Sequence, residues 1–114
     1  MSRKIRKRIT AKPKARARIF AALGDKTRLW LVSRLSAGPL SITSLTAGSR
    51  VTRQAITKHL RVLERAGLLR STRRGRESIW QLKQKRLAEA CRYLELISAQ
   101  WDDAIGRLRK FVEE

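Results

Sequence analysis

Carboxylates are scarce in this sequence. Nine Asp and Glu stand against 28 Lys and Arg, a formal net charge of +19. Self-repulsion at such a charge destabilises a compact chain unless a polyanion answers it. Nucleic acid is the first candidate and an anionic membrane surface the second. The second has little support: no apolar run of about 18 residues could span a bilayer, and no apolar core of roughly 7–15 residues marks a signal peptide. The single cysteine, Cys91, excludes an internal disulfide and suits a reducing cytoplasm. With one cysteine and one histidine, His59, and no carboxylate cluster in the basic region, neither a nucleophile–base nor an acid–base pair can be assembled, which argues against an enzyme. Three Trp, two Phe and one Tyr are too few, and too regularly spaced, for an RNA-stacking platform. An RNA-binding or ribosome-associated basic protein therefore stands as the alternative to a DNA-binding one. No residue set implies a cofactor, and none names a small-molecule effector.

The basic surplus is unevenly placed. Residues 1–18 hold nine Lys or Arg and no acid, and residues 50–86 hold twelve against Glu64 and Glu77. Residues 87–114 hold four against six acids. The tail and middle face a polyanion, whereas the C-terminal segment has a different task. Residues 1–14 read as a basic disordered arm, either merely solvated or contacting a DNA backbone. Residues 15–83 read as the DNA-binding domain, and 84–114 as its C-terminal dimerisation helix.

Within that domain the periodicity predicts a mainly α fold with a small β-hairpin. A short helix spans Ala15 to Leu23. Asp25 is the N-cap of a second helix, which ends at Gly38-Pro39. Pro39 to Ile42 reads as an extended link, and a third, short helix runs to about Ala47. The most informative helix covers Thr52 to Ala66. With Ile56 at 0° and about 100° per residue, Leu60 and Leu63 lie within about 40° of it and form a core stripe. Thr57, Arg61, Gln54, Arg65 and Lys58 lie opposite, with Glu64 at the edge. A routine surface helix intersperses acids to make i,i+4 pairs; this face is hydrogen-bonding and cationic. Gly67 closes the helix, and two short runs then flank Arg73-Arg74-Gly75-Arg76 as a hairpin with a cationic tip.

The last helix runs from about Gln84 to Glu114. Leu87, Leu94, Trp101 and Leu108 recur every seven residues, as do Ala90, Ile97, Ala104 and Phe111, giving an apolar a/d seam. A helix of about 45 Å outruns so small a core, so much of this seam should be covered by a second copy, with Gly106 as a local weakness. Trp30 and Trp101 read as core or interface residues and Trp80 as packing in the hairpin. His59, on the flank of the stripe, reads as a brace, with a hydrogen bond to a phosphate as the alternative. Cys91 reads as an inert small hydrophobe, with a redox sensor as the alternative.

This order fits a winged helix-turn-helix with a long C-terminal dimerisation helix. The second helix of its motif enters the major groove. Its N-terminal residues, Thr52, Arg53, Gln54, Thr57 and Lys58, then approach base edges, with Arg61 further along the same face. Gln suits adenine, and Arg or Lys suits guanine. Arg73, Arg74 and Arg76 on the wing meet flanking backbone or the minor groove.

The segment Val51-Thr-Arg-Gln-Ala-Ile-Thr-Lys-His-Leu-Arg-Val-Leu-Glu-Arg-Ala-Gly-Leu-Leu69 resembles the recognition helix of ArsR-type bacterial repressors. Phe20-Ala-Ala-Leu-Gly-Asp-Lys-Thr-Arg-Leu29 resembles that family's opening motif, and Arg74-Gly-Arg-Glu-Ser-Ile-Trp-Gln-Leu82 its wing. The resemblance spans about residues 15–113. It implies a dimeric winged-helix repressor whose first and last helices form the interface, bound to a palindromic operator in double-stranded DNA. Two departures stand out. Arg50 occupies the turn position where a standard motif has Gly, which predicts a looser turn. The third helix, Ser41-Ile-Thr-Ser-Leu-Thr46, has no thiol and the last helix no histidine, so the metal-sensing residues of the classical members are missing and no metal site is expected.

Overall fold

The computed structural model describes residues 13–113. Five helices and three strands follow in the order α1 (Pro13–Leu23), α2 (Lys26–Leu35), β1 (Leu40–Ser41), α3 (Ile42–Ala47), α4 (Arg53–Arg65), β2 (Leu69–Arg74), β3 (Glu77–Leu82) and α5 (Gln84–Glu113). α1 starts two residues before the expected boundary. Pro13 and Lys14, read as part of the arm, form its first turn, where proline's fixed φ and missing N–H cost nothing. The remainder of the arm, residues 1–12, lies outside the described residues.

The core is aliphatic and continuous. Ile19 and Ala22 of α1, Leu31 and Leu35 of α2, Ile42 and Leu45 of α3, and Ile56, Leu60 and Leu63 of α4 are all buried. Leu68, Leu69 and Trp80 close it from the wing side, and Ala90 from α5. The three α4 positions are those of its apolar stripe.

The hairpin is part of a three-stranded antiparallel sheet of order β1-β3-β2. Leu40 and Ser41, read as a link, pair with Trp80 and Ile79. Two residues are too short to show any alternation, so only the pairing identifies them as a strand. This edge fastens the base of the wing to the start of α3. On the other side, Leu69 pairs with Leu82 and the ladder runs out to Arg74 opposite Glu77.

α4 ends in a tight left-handed turn. Gly67, at φ 84°, sends its N–H to Glu64, and Leu68 sends its own to Leu63. This pair of bonds turns the chain straight into β2. α5 packs on the domain only near its beginning. Beyond Tyr93 its large apolar residues are exposed: Leu94 is 52% exposed, Trp101 65% and Phe111 79%. The radius of gyration is 18.6 Å, against about 13 Å for a compact chain of this size.

Candidate nucleic-acid interface

Local capping holds α3 and α4 at their motif geometry. Ser41 caps α3 by accepting the Ser44 N–H at 3.1 Å. In the following turn, Ser49 accepts the Val51 N–H through its hydroxyl at 2.9 Å, and its own N–H reaches the Thr46 carbonyl. Among the described residues no non-glycine has positive φ, so Arg50 meets no strain in this turn. Arg50 stands where a standard motif has glycine, and the hydroxyl of the neighbouring Ser49 closes the turn.

α4 begins at Thr52, whose Oγ1 accepts the Ala55 N–H at 3.2 Å. Thr57, one turn on, donates its hydroxyl to the Arg53 carbonyl at 2.9 Å. Arg53, Gln54 and Lys58 are exposed, and their side chains have no partner among the described residues. They form one cationic, amide-bearing end of the helix.

Arg61 stands apart from them. Its guanidinium makes a 2.9 Å ion pair with Glu64 and lies 5.3 Å from the centre of the Trp80 ring. Ser71 of β2 donates to the other Glu64 oxygen at 3.1 Å. The face read as free of acid pairing thus contains one pair at i,i+3, because both side chains are long enough to span the angle between them. Arg61 keeps part of its charge outward but is tied to the wing base. Trp80 is buried, with its indole N–H lacking a partner among the described residues.

The wing tip is a two-residue turn. Gly75 has φ 65° and Arg76 does not share that sign, the arrangement of a type II′ hairpin, whose first central position calls for glycine. Arg73, Arg74 and Arg76 project from this tip, exposed and without side-chain partners among the described residues. Glu77 directly follows them, but its carboxylate accepts a hydrogen bond from Thr43 of α3. Both acids of the basic middle are therefore engaged internally, Glu64 by Arg61 and Ser71, Glu77 by Thr43. The remaining charge of α4 and the wing is left for an external anion.

Behind α4 lies a polar node that the sequence reading saw only in part. Asp25 caps α2 by accepting the Arg28 N–H at 3.0 Å. That bond, with the charge of Arg28, holds its carboxyl below the ordinary value despite partial desolvation. The Arg28 side chain donates to the Ala22 carbonyl at 2.6 Å and lies 3.3 Å from Nδ1 of His59. His59, expected as a brace, sits beside this pair. Arg28 was missed because its partner is 31 residues away.

Among the described residues no group of three or more His, Cys, Asp or Glu is placed to hold a metal ion, and no helix is long and apolar enough to cross a membrane. Cys91 is exposed on α5.

A short helix, a closed turn, a helix with a basic exposed end and a basic hairpin define a winged helix-turn-helix DNA-binding domain. Residues 14–72 match the family model described as a helix-turn-helix domain. The chain is 46% identical over 65 residues to the uncharacterized HTH-type transcriptional regulator YuzN of Bacillus subtilis, covering 51% of this chain and 71% of that one. It is 38% identical over 71 residues to the HTH-type transcriptional regulator Rv2034 of Mycobacterium tuberculosis, covering 62% of this chain and 66% of the relative. The fold superposes on an ArsR-like transcriptional regulator from Rhodococcus sp. RHA1 with a TM-score of 0.79 at 34% identity, over 90% of this chain and 96% of that one. The chain belongs to the ArsR-type winged helix-turn-helix transcriptional regulators. It is a DNA-binding regulator and not an enzyme.

Proposed function

We propose that this regulator is a repressor that binds a palindromic operator in double-stranded DNA as a homodimer. One observation carries the reading: the exposed end of α4 and the wing tip are basic and unpartnered among the described residues, while the acids beside them are engaged by neighbouring side chains. α4 inserts into the major groove, where Arg53, Gln54 and Lys58 meet base edges, and Arg73, Arg74 and Arg76 neutralise flanking phosphates. Thr52 and Thr57 flank these readers, and Arg61 reaches the backbone from the wing side. The bare seam of α5 pairs two copies, and a two-fold dimer reads an inverted repeat. Occupancy of a promoter by such a dimer blocks transcription in the cytoplasm, where the DNA lies.

The test is selection of bound sequences from a random duplex library by the full chain, followed by a reporter assay on the selected site. Recovery of an inverted repeat that silences the reporter supports the reading. Enrichment of no sequence, activation of the reporter, or preferential capture of single-stranded RNA over duplex overturns it.

A further inference from the structure

Three elements meet at Arg28. Its Nε donates to the Ala22 carbonyl at 2.6 Å and its Nη2 to the Ala21 carbonyl at 3.4 Å, both at the C-terminal end of α1. Its remaining nitrogen, Nη1, reaches Nδ1 of His59, in the middle of α4, at 3.3 Å. An arginine can only donate, so His59 accepts at Nδ1 and carries its ring proton on Nε2. Asp25 stands 3.8 Å from the same Nδ1 and fixes the Arg28 backbone.

α1 is also the helix that rests on α5. The Phe20 and Tyr93 rings lie 6.1 Å apart, and the Arg16 guanidinium sits 4.1 Å over the Tyr93 ring. A continuous path therefore runs from α5, through α1 and Arg28, to α4. Otherwise α1 and α4 share the apolar core, to which α1 gives Ile19 and Ala22 and α4 gives Ile56, Leu60 and Leu63. Apolar burial is non-directional and leaves a helix free to roll or slide by small amounts. A forked hydrogen-bond donor is directional and suppresses that freedom.

We infer that Arg28 and His59 form a positioning link that fixes the orientation of α4 relative to α1 and α5, and so sets the half-site spacing a dimer accepts. The inference rests on the dimeric, operator-binding reading. Adding one base pair between half-sites moves them by about 3.4 Å and rotates them by about 35°. A rigid link makes the protein reject that change; a loosened one tolerates it. His59 acts here through Arg28 and not by touching DNA.

The experiment uses the full chain and the duplex it selects, with variants of that duplex carrying one base pair more or less at its centre, and an isolated half-site. His59→Phe keeps a ring and removes the acceptor, whereas His59→Asn returns an acceptor near the Nδ1 position. His59→Phe should bind the selected duplex about tenfold more weakly, the loss of one hydrogen bond to a charged group. Its preference for native spacing should collapse, with half-site affinity and dimer sedimentation unchanged. His59→Asn should recover the preference. Should His59→Phe lose its cooperative melting transition, Arg28→Lys, which cannot span all three partners, carries the same expectation. A His59→Phe protein that keeps the native spacing preference overturns the link, as does failure of His59→Asn to recover it. Equal weakening on half-site and operator, with a salt slope flatter by about one, assigns His59 to a phosphate and overturns it also. A native protein indifferent to spacing sinks the dimeric reading instead.

Discussion

Gln54 and Arg74 are both exposed and unpartnered among the described residues, yet they should fail in different ways. Gln54 lies at the start of α4, where its amide can match a base edge. Gln54→Ala should relax sequence choice at one position per half-site, costing about 1–3 kcal/mol against the preferred base. Arg74 lies on a wing tip. Arg74→Ala should weaken cognate and random duplexes alike, and flatten the slope of log affinity against log salt by about one per lost phosphate contact. Fluorescence anisotropy titrations across salt separate the two, and equal weakening of all duplexes by Gln54→Ala would show that α4 presents another face. Asp25 gives a pH prediction. Its folded pKa lies below the ordinary 3.8, chiefly because its carboxylate accepts the Arg28 N–H. The sign follows from linkage: the contribution is fully present above the ordinary value and is lost as pH falls through the lower folded value. Acid unfolding followed by circular dichroism should therefore steepen below pH 3.8. Asp25→Asn, which can still cap, should show a shallower acid limb, and an unchanged limb would remove Asp25 from the account.

Elements differed in how plainly the sequence announced them. α4 was legible because its stripe repeats at 3.6 residues and its ends carry chemical signals. Ile56, Leu60 and Leu63 are fully buried, Thr52 caps the start and Gly67 turns the end. The wing was legible from glycine and arginines between two short runs. β1 was not, since two residues have no period and its partner strand lies 38 positions onward at Ile79 opposite Ser41. The start of α1 was missed because proline reads as a breaker everywhere except at a helix's first turn. At the candidate site, the exposed end of α4 followed from angular position, and the wing tip from its glycine-centred turn. The Arg61–Glu64–Ser71 group and the Arg28–His59 contact depend on where separate elements pack, which no local pattern encodes. The sequence thus located the outward-facing side chains, and of those that hold them it offered Asp25 and His59 but not Arg28 or the Glu64–Ser71 contact.

The whole molecule is elongated, 67 × 30 × 21 Å, because α5 runs on past the domain that anchors it. Trp101 is 65% exposed on that extension, with Leu108 at 62% in line with it. In the proposed homodimer a second copy would cover this stripe and bury it. Trp101→Asp should give monomers by analytical ultracentrifugation, with a domain melting transition close to native and weak operator binding. A native protein that sediments as a monomer at micromolar concentration would end the dimer reading. In the proposed homodimer, the same bare stripe makes the abundance of the chain a regulatory quantity. If two protomers must meet before either reads its half-site well, operator occupancy at low abundance rises with the square of protomer concentration instead of in proportion to it. A gene controlled this way responds to the synthesis rate of its regulator as to a threshold: a modest dilution at cell division releases it more sharply than the fall in copy number alone, with no bound signal required.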